Sequence, residues 1–241
     1  MIGKSRFSIT ILSALALLAL AGLQAGAFGA REAGAVREVS GFDSVSFSTA
    51  GQLFISQGDR EALEITAGEG ELARIQTEVR GGTLFIGRKE GGPAFSLRPP
   101  VFRLTMRKLT AIETHSSGSV AAKELSADSL RIQISSSGGV AIDALSAGSL
   151  EVQITSSGSL KLSGSVERQD VRLSSSGSYS AGSLESRTAK VRVSSSGSAT
   201  LRVSDILEAS VTSSGGVRYH GNPPQVNAEV TSSGRLVRLG D

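Results

Sequence analysis

The sequence predicts an all-β protein, a right-handed parallel β-helix with about 19–20 residues per coil. Two observations carry that prediction. The triplet Ser-Ser-Gly recurs with its glycine at positions 118, 138, 158, 177, 197, 215 and 234, at intervals of 20, 20, 19, 20, 18 and 19 residues. Between triplets, apolar and polar residues alternate with a period of two, which marks a strand with one buried face. A period this constant indicates a solenoid in which each repeat is one coil packed on its neighbours. The hand follows from the preference of parallel β crossovers.

Residues 1–27 read as a secretory signal peptide. Lys4 and Arg6 precede an apolar run from Ile9 to Leu23, and Ala25-Gly26-Ala27 supplies small residues for cleavage after Ala27. The run is broken by Ser13 and Gly22 and is short for a membrane span of about 20 residues. No cysteine follows it, which argues against a lipoprotein anchor. Residues 28–35 are expected to form a flexible mature amino terminus, and 36–241 a single β-helix domain. The expectation is an exported protein, periplasmic, at the cell surface or extracellular, with no stable membrane span once the signal is removed. Without cysteine, its stability must come from packing and backbone hydrogen bonds. The net charge is +3, and Lys and Arg are scattered among Asp and Glu. That leaves no basic stripe for nucleic acid.

Residues 36–114 are irregular but strand-like. Val45 and Phe47, Leu53 and Ile55, Leu63 and Ile65, Leu84 and Ile86, and Leu104 and Met106 each mark the inward face of a strand, with Leu109 and Ile112 following. Glu71 to Ile75 is compatible with a single helical turn. Lys89 to Pro100 reads as an exposed loop, because Pro93, Pro99 and Pro100 prevent regular pairing. This region is expected to build the first, wider coils and to cover the apolar end of the solenoid.

Residues 115–241 are the regular coils. Val120, Ala122, Leu130, Ile132 and Ile134 recur one coil later as Val140, Ile142, Leu150, Val152 and Ile154, and comparable residues follow. Each coil should hold two or three short strands, like strands stacking about 4.8 Å apart. The triplet glycine is expected at left-handed φ/ψ. The triplet serines, with Ser135, Thr155, Ser174, Ser194, Thr212 and Thr231 before them, are expected to bond main chain or the neighbouring coil. They read as corner ladders, not as a row of nucleophiles.

Candidate chemistry is sparse. His115 and His220 lie five coils apart and cannot share an ion; both read as solvated loop residues. No metal or cofactor is expected, and no Gly-x-Ser-x-Gly elbow is present. Outward positions do stack: Arg131, Glu151, Asp170, Lys190 and Glu208 share one column, and Gln133, Gln153, Arg172 and Arg192 the next. The plain reading is cross-strand pairing on a solvated face, worth a few tenths of a kcal/mol per pair. The sharper reading is a shallow binding face for an envelope glycan or another envelope protein, using Arg172, Arg192, Lys190 and Arg131. Aromatic platforms for sugars are scarce, since Tyr179 and Tyr219 are the only tyrosines and Trp is absent. The last coil, "SSGRLVRLGD", offers an unpaired edge for homo-oligomers formed through solenoid ends.

Three stretches resemble the head GIN domain family of autotransporter adhesins: "REVSGFDSVSFSTAGQLFISQGD" (Arg37 to Asp59), "VRGGTLFIG" (Val79 to Gly87) and the Ser-Gly coils. The likeness spans Val36 to Leu239. It implies a right-handed β-helix exported to the envelope and brings no catalytic residues. The family pattern usually has Asp after its corners; Ser119, Gly139, Ser159, Ser178, Ser198 and Gly216 stand there instead, so no acidic column is implied. A self-sufficient autotransporter also needs a membrane barrel, which this sequence does not contain, so surface delivery is expected to depend on another component. The leading expectation is a non-enzymatic envelope protein, a β-helical rod for adhesion or scaffolding. The alternatives are a carbohydrate-active β-helix lyase or hydrolase on acidic polysaccharide, and a homotypic assembly module.

Overall fold

A computed structural model describes residues 32–89 and 98–240. The signal segment and most of the proline-containing loop lie outside the described residues. The amino-terminal part consists of β1 (Glu32–Arg37), β2 (Ser44–Phe47), β3 (Gln52–Gln57), β4 (Ala62–Gly68), one helical turn α1 (Glu69–Leu72), β5 (Ile75–Arg80), β6 (Thr83–Arg88), β7 (Val101–Met106) and β8 (Ala111–Thr114). Four long strands follow: β9 (Ser119–Ile134), β10 (Gly139–Ile154), β11 (Ser159–Leu173) and β12 (Ser178–Val193). The last coils hold β13 (Ser198–Arg202), β14 (Ile206–Val211), β15 (Gly216–His220), β16 (Gln225–Val230) and β17 (Arg235–Gly240).

The architecture is the parallel β-solenoid that the repeat predicts, with about six turns. From β8 onward every pairing is parallel. Val120 faces Val140, Val140 faces Leu160, and Ile132, Val152, Val171, Val191, Ala209 and Ala228 form one continuous inward column. Val152 and Val191 are buried. The expectation of two or three short strands per coil needs correction for β9 to β12. There the backbone keeps its inter-coil hydrogen bonds round the bends, so each coil is one bent strand of 15–16 residues. Among β9 to β12 the register shifts between Ile142 and Leu145 and between Lys161 and Ser163.

The amino-terminal end is closed differently. β1 pairs with β4, β4 with β7, and β5 with β6, all antiparallel. β5 and β6 are joined by Gly81-Gly82, both at positive φ, the two-residue turn that sets adjacent strands antiparallel. β2 and β3 join this cap to the coils by parallel pairing, β2 with β6 and β8, β3 with β7 and β9. An ion pair of 2.9 Å between Arg88 and Glu71 fixes α1 against β6.

The corners correct the sequence reading of the triplet. None of its glycines has positive φ; the left-handed residue is the first serine in the last four triplets, Ser175, Ser195, Ser213 and Ser232, at φ of 72°, 70°, 60° and 59°. Glycine is required instead by proximity. A Cβ on Gly138 would lie 2.6 Å from the Ser116 carbonyl oxygen and 2.7 Å from that of Gly118. One on Gly177 would lie 2.6 Å from Ile154 Cγ2. Hydroxyls brace the same corners: Ser116 Oγ donates to the Thr49 carbonyl at 2.6 Å, Ser156 Oγ to that of Ser135 at 3.2 Å, and Ser194 Oγ to that of Leu173 at 3.3 Å.

One polar network interrupts the apolar interior. Gln169 takes the place of Leu150 in its inward column, and Tyr179 that of Leu160 in another. Both are buried. The Tyr179 hydroxyl donates to Gln169 Oε1 at 2.7 Å, Gln169 Nε2 donates to Ser186 Oγ at 2.8 Å, and Ser186 Oγ donates to the Arg202 carbonyl at 2.6 Å. Burial pushes the Tyr179 phenol up, so it remains a protonated donor. Tyr179 is therefore a core residue and is unavailable as a surface platform.

Three substitutions test these points in urea denaturation. Gly138→Ala should cost about 1–3 kcal/mol through forced separation of coils, whereas Ser213→Gly, which relieves a left-handed serine, should cost nothing or gain up to about 1 kcal/mol. Tyr179→Phe should cost about 1–3 kcal/mol, because Gln169 Oε1 loses its donor in a buried setting.

Candidate functional site

β9, β10, β11, β12 and β14 present the charged face. Their parallel register places Arg131, Glu151, Asp170, Lys190 and Glu208 in one outward column, and Gln133, Gln153, Arg172 and Arg192 in the next. Stacking at this spacing brings cations of the two columns within reach of the acidic residues, and the side chains pair with one another. Arg131 meets Glu151 at 3.0 Å; Arg172 bridges Glu151 at 3.1 Å and Asp170 at 2.9 Å; Arg192 approaches Asp170 at 3.5 Å; Lys190 meets Glu208 at 2.8 Å. The Lys190 hydrogen bond holds the Glu208 carboxyl below its ordinary value. Nearby, Asp205 is held down by the Ser204 hydroxyl and then by Arg187, whose guanidinium is correspondingly raised by Asp205. The four cations singled out in the sequence thus share one face, and every one of them is engaged by a carboxylate.

The histidines differ from each other. His115 sits at an exposed corner, its Nδ1 2.9 Å from Ser135 Oγ. His220 is not a loop residue: it closes β15 opposite Arg202, and the turn begins only at Gly221. Its ring is half-buried beside Gly182, and Nδ1 has no hydrogen-bond partner. Among the described residues, no group of three or more His, Cys, Asp or Glu is arranged to hold a metal ion, and no helix is long and apolar enough to cross a membrane.

A second surface escaped the sequence reading. On β3, Leu53 and Ile55 point inward, which turns Phe54 outward, where it is 42% exposed. Register sets Arg103 on one side of it and Ala121, then Ala141, on the other. Where β9 bends, Lys123, Glu124 and Ser126 rise as a wall, with Asp143 one coil along. A groove of about 690 Å³ results. Gln57 fixes the wall, donating from Nε2 to the Ser126 carbonyl at 2.9 Å and accepting at Oε1 from the Ser126 N–H at 2.7 Å. The available signal was an aromatic residue at an outward position of a strand.

A family model described as "Putative auto-transporter adhesin, head GIN domain" matches residues 41–223. The chain belongs to this family. The head GIN domain here is similar to a "putative adhesin" from Bacteroides fragilis, with a TM-score of 0.83 at 22% identity over 87% of this chain and 97% of that one. It is also similar to a "putative lipid binding protein" from Parabacteroides distasonis, with a TM-score of 0.71 at 22% identity over 88% of this chain and 98% of that one. A "putative adhesin" from Parabacteroides merdae has a TM-score of 0.71 at 18% identity, covering 88% and 97%. These likenesses establish the head GIN fold. No curated protein matches the chain.

The Lys190–Glu208 pair has a pH signature. Glu208 is depressed when folded, so its contribution is complete above the ordinary value of 4.5 and is lost as pH falls through the lower folded value. Urea midpoints of wild type and Glu208→Gln should differ slightly at about pH 6, wild type being the more stable, and converge at about pH 3.

Proposed function

We propose that this head GIN domain is a non-enzymatic, exported envelope protein whose solenoid serves as a rod for adhesion or scaffolding. The observation that carries the reading is the outward ladder. Its charged side chains are arrayed along the rod in repeating register and pair with one another, whereas a reaction centre gathers unlike groups at one point. The amino-terminal segment read as a signal peptide supports export, and the family's description supports adhesion. The partner in this reading is an envelope glycan or another envelope protein.

A second reading, homotypic assembly, draws on the carboxy-terminal end. β17 pairs with β15 and β16 with β14, and neither has a further strand on its other edge among the described residues. Val226, Val230, Val237 and Leu239 are 40–46% exposed there. Unpaired edges with apolar side chains favour edge-to-edge association. Light scattering on the purified chain tests this; a monomeric mass at all concentrations removes it.

For the leading reading, beads coated with the protein should retain bacterial envelope fragments without shortening any polysaccharide in a panel of acidic substrates. Chain cleavage in that panel would overturn it in favour of a lyase or hydrolase, and failure to retain any envelope fraction would overturn it outright.

A further inference from the structure

The groove at Phe54 has the composition of a carbohydrate site, and we infer that it binds a neutral glycan chain with one pyranose ring laid on the Phe54 ring. The inference deepens the adhesive reading and rests on it.

Phe54 is out of place as a structural residue. The other large apolar side chains that are exposed, Val36, Val226, Val230, Val237 and Leu239, belong to β1, β16 and β17 at the two ends of the stack. Phe54 alone lies on the side wall among the described residues, in the middle of a strand paired on both edges. A partly exposed aromatic ring on a rigid sheet offers an apolar face to the C–H groups of a sugar. The floor beside it is kept low by Ala121 and Ala141. From Phe54 to Ala141 the column crosses two strand spacings, about 10 Å, room for a short run of sugar units.

The rim supplies the polar half of the recognition. Arg103, Lys123, Glu124 and Asp143 are exposed, and none makes a side-chain hydrogen bond or ion pair among the described residues. This contrasts with the ladder, where every cation considered is paired. Two donors and two acceptors stand free around one ring, and hydroxyls that both donate and accept satisfy such a set. The rim charges sum to zero, which favours a neutral chain over an acidic polysaccharide. An acyl chain would cover the ring but leave four charged groups to be desolvated without partners. The volume of about 690 Å³ suits a ligand of this size. Because Gln57 ties Ser126 in place, the wall is formed before binding, which lowers the ordering cost.

The test titrates the full chain with cellohexaose, xylohexaose, mannohexaose and maltohexaose by calorimetry and saturation-transfer NMR, with sodium oleate in parallel. At least one neutral hexasaccharide should bind, and Phe54→Ala should weaken it about tenfold. Ala141→Leu, which fills the floor, should weaken it comparably, while Arg172→Ser with Arg192→Ser should leave it unchanged. Thermal melts confirm that each variant is folded. No binding by any hexasaccharide, or equal binding by wild type, Phe54→Ala and Ala141→Leu, overturns the site. Binding of oleate alone, lost in Phe54→Ala, also overturns it. Retention of envelope fragments by the same variants separates the two levels. Retention that persists without sugar binding removes this site and leaves the adhesive reading standing. Sugar binding without retention supports the site and removes the adhesive reading.

Discussion

The structure depends on one contact, the approach of backbone to backbone at the Ser-Ser-Gly corner. Each glycine lies over the corner below, and the carbonyl of one triplet glycine accepts the N–H that opens the next coil: Gly138 from Ser159 at 3.1 Å, Gly158 from Ser178 at 3.0 Å, Gly177 from Ser198 at 3.0 Å. On the other side of the corner, Ser174 donates to Ile154 and Ser194 to Leu173, each at 2.9 Å. The ladder therefore continues through the bend. Because it does, the residues flanking each corner are fixed opposite their counterparts one coil away, and the inward and outward columns follow.

Fixing the register decides what the surface can do. Two adjacent columns of outward charges at strand spacing let one carboxylate reach two cations, as Glu151 reaches Arg131 and Arg172. Individually such exposed pairs contribute little to stability. Together they consume the charges that a sequence reading assigns to binding. The groove at Phe54 arises where the regular pattern meets the irregular amino-terminal coils, so that an aromatic, two alanines and four unpaired charges stand next to one another. Regular coils make the rod, and the junction makes the candidate site.

How much of this was legible follows the same division. The period placed the coils, and alternation placed Val152 and Val191 inside and Arg172 and Arg192 outside, because a parallel stack converts sequence distance directly into spatial neighbourhood. The charged columns could be read for that reason. The role of the triplet glycine could not, since a glycine required by contact and one required by positive φ look identical in sequence; only the carbonyls facing Gly138 distinguish them. Gln169 gave no sign of its partner, because Tyr179 reaches it from a different column of the next coil. Nor could Phe54 be recognised as a site, because its neighbours Arg103 and Ala121 come from β7 and β9, on either side of it in the stack, brought together by a register that the irregular region does not spell out.

The most direct measurement is native-state hydrogen exchange at the corner amides of Ser159, Ser178 and Ser198. If the corners are the continuous part of the ladder, these amides exchange only through the global unfolding that also exposes Val152 and Val191. Exchange through fast local opening at the corners, with the strand centres still protected, would contradict the account.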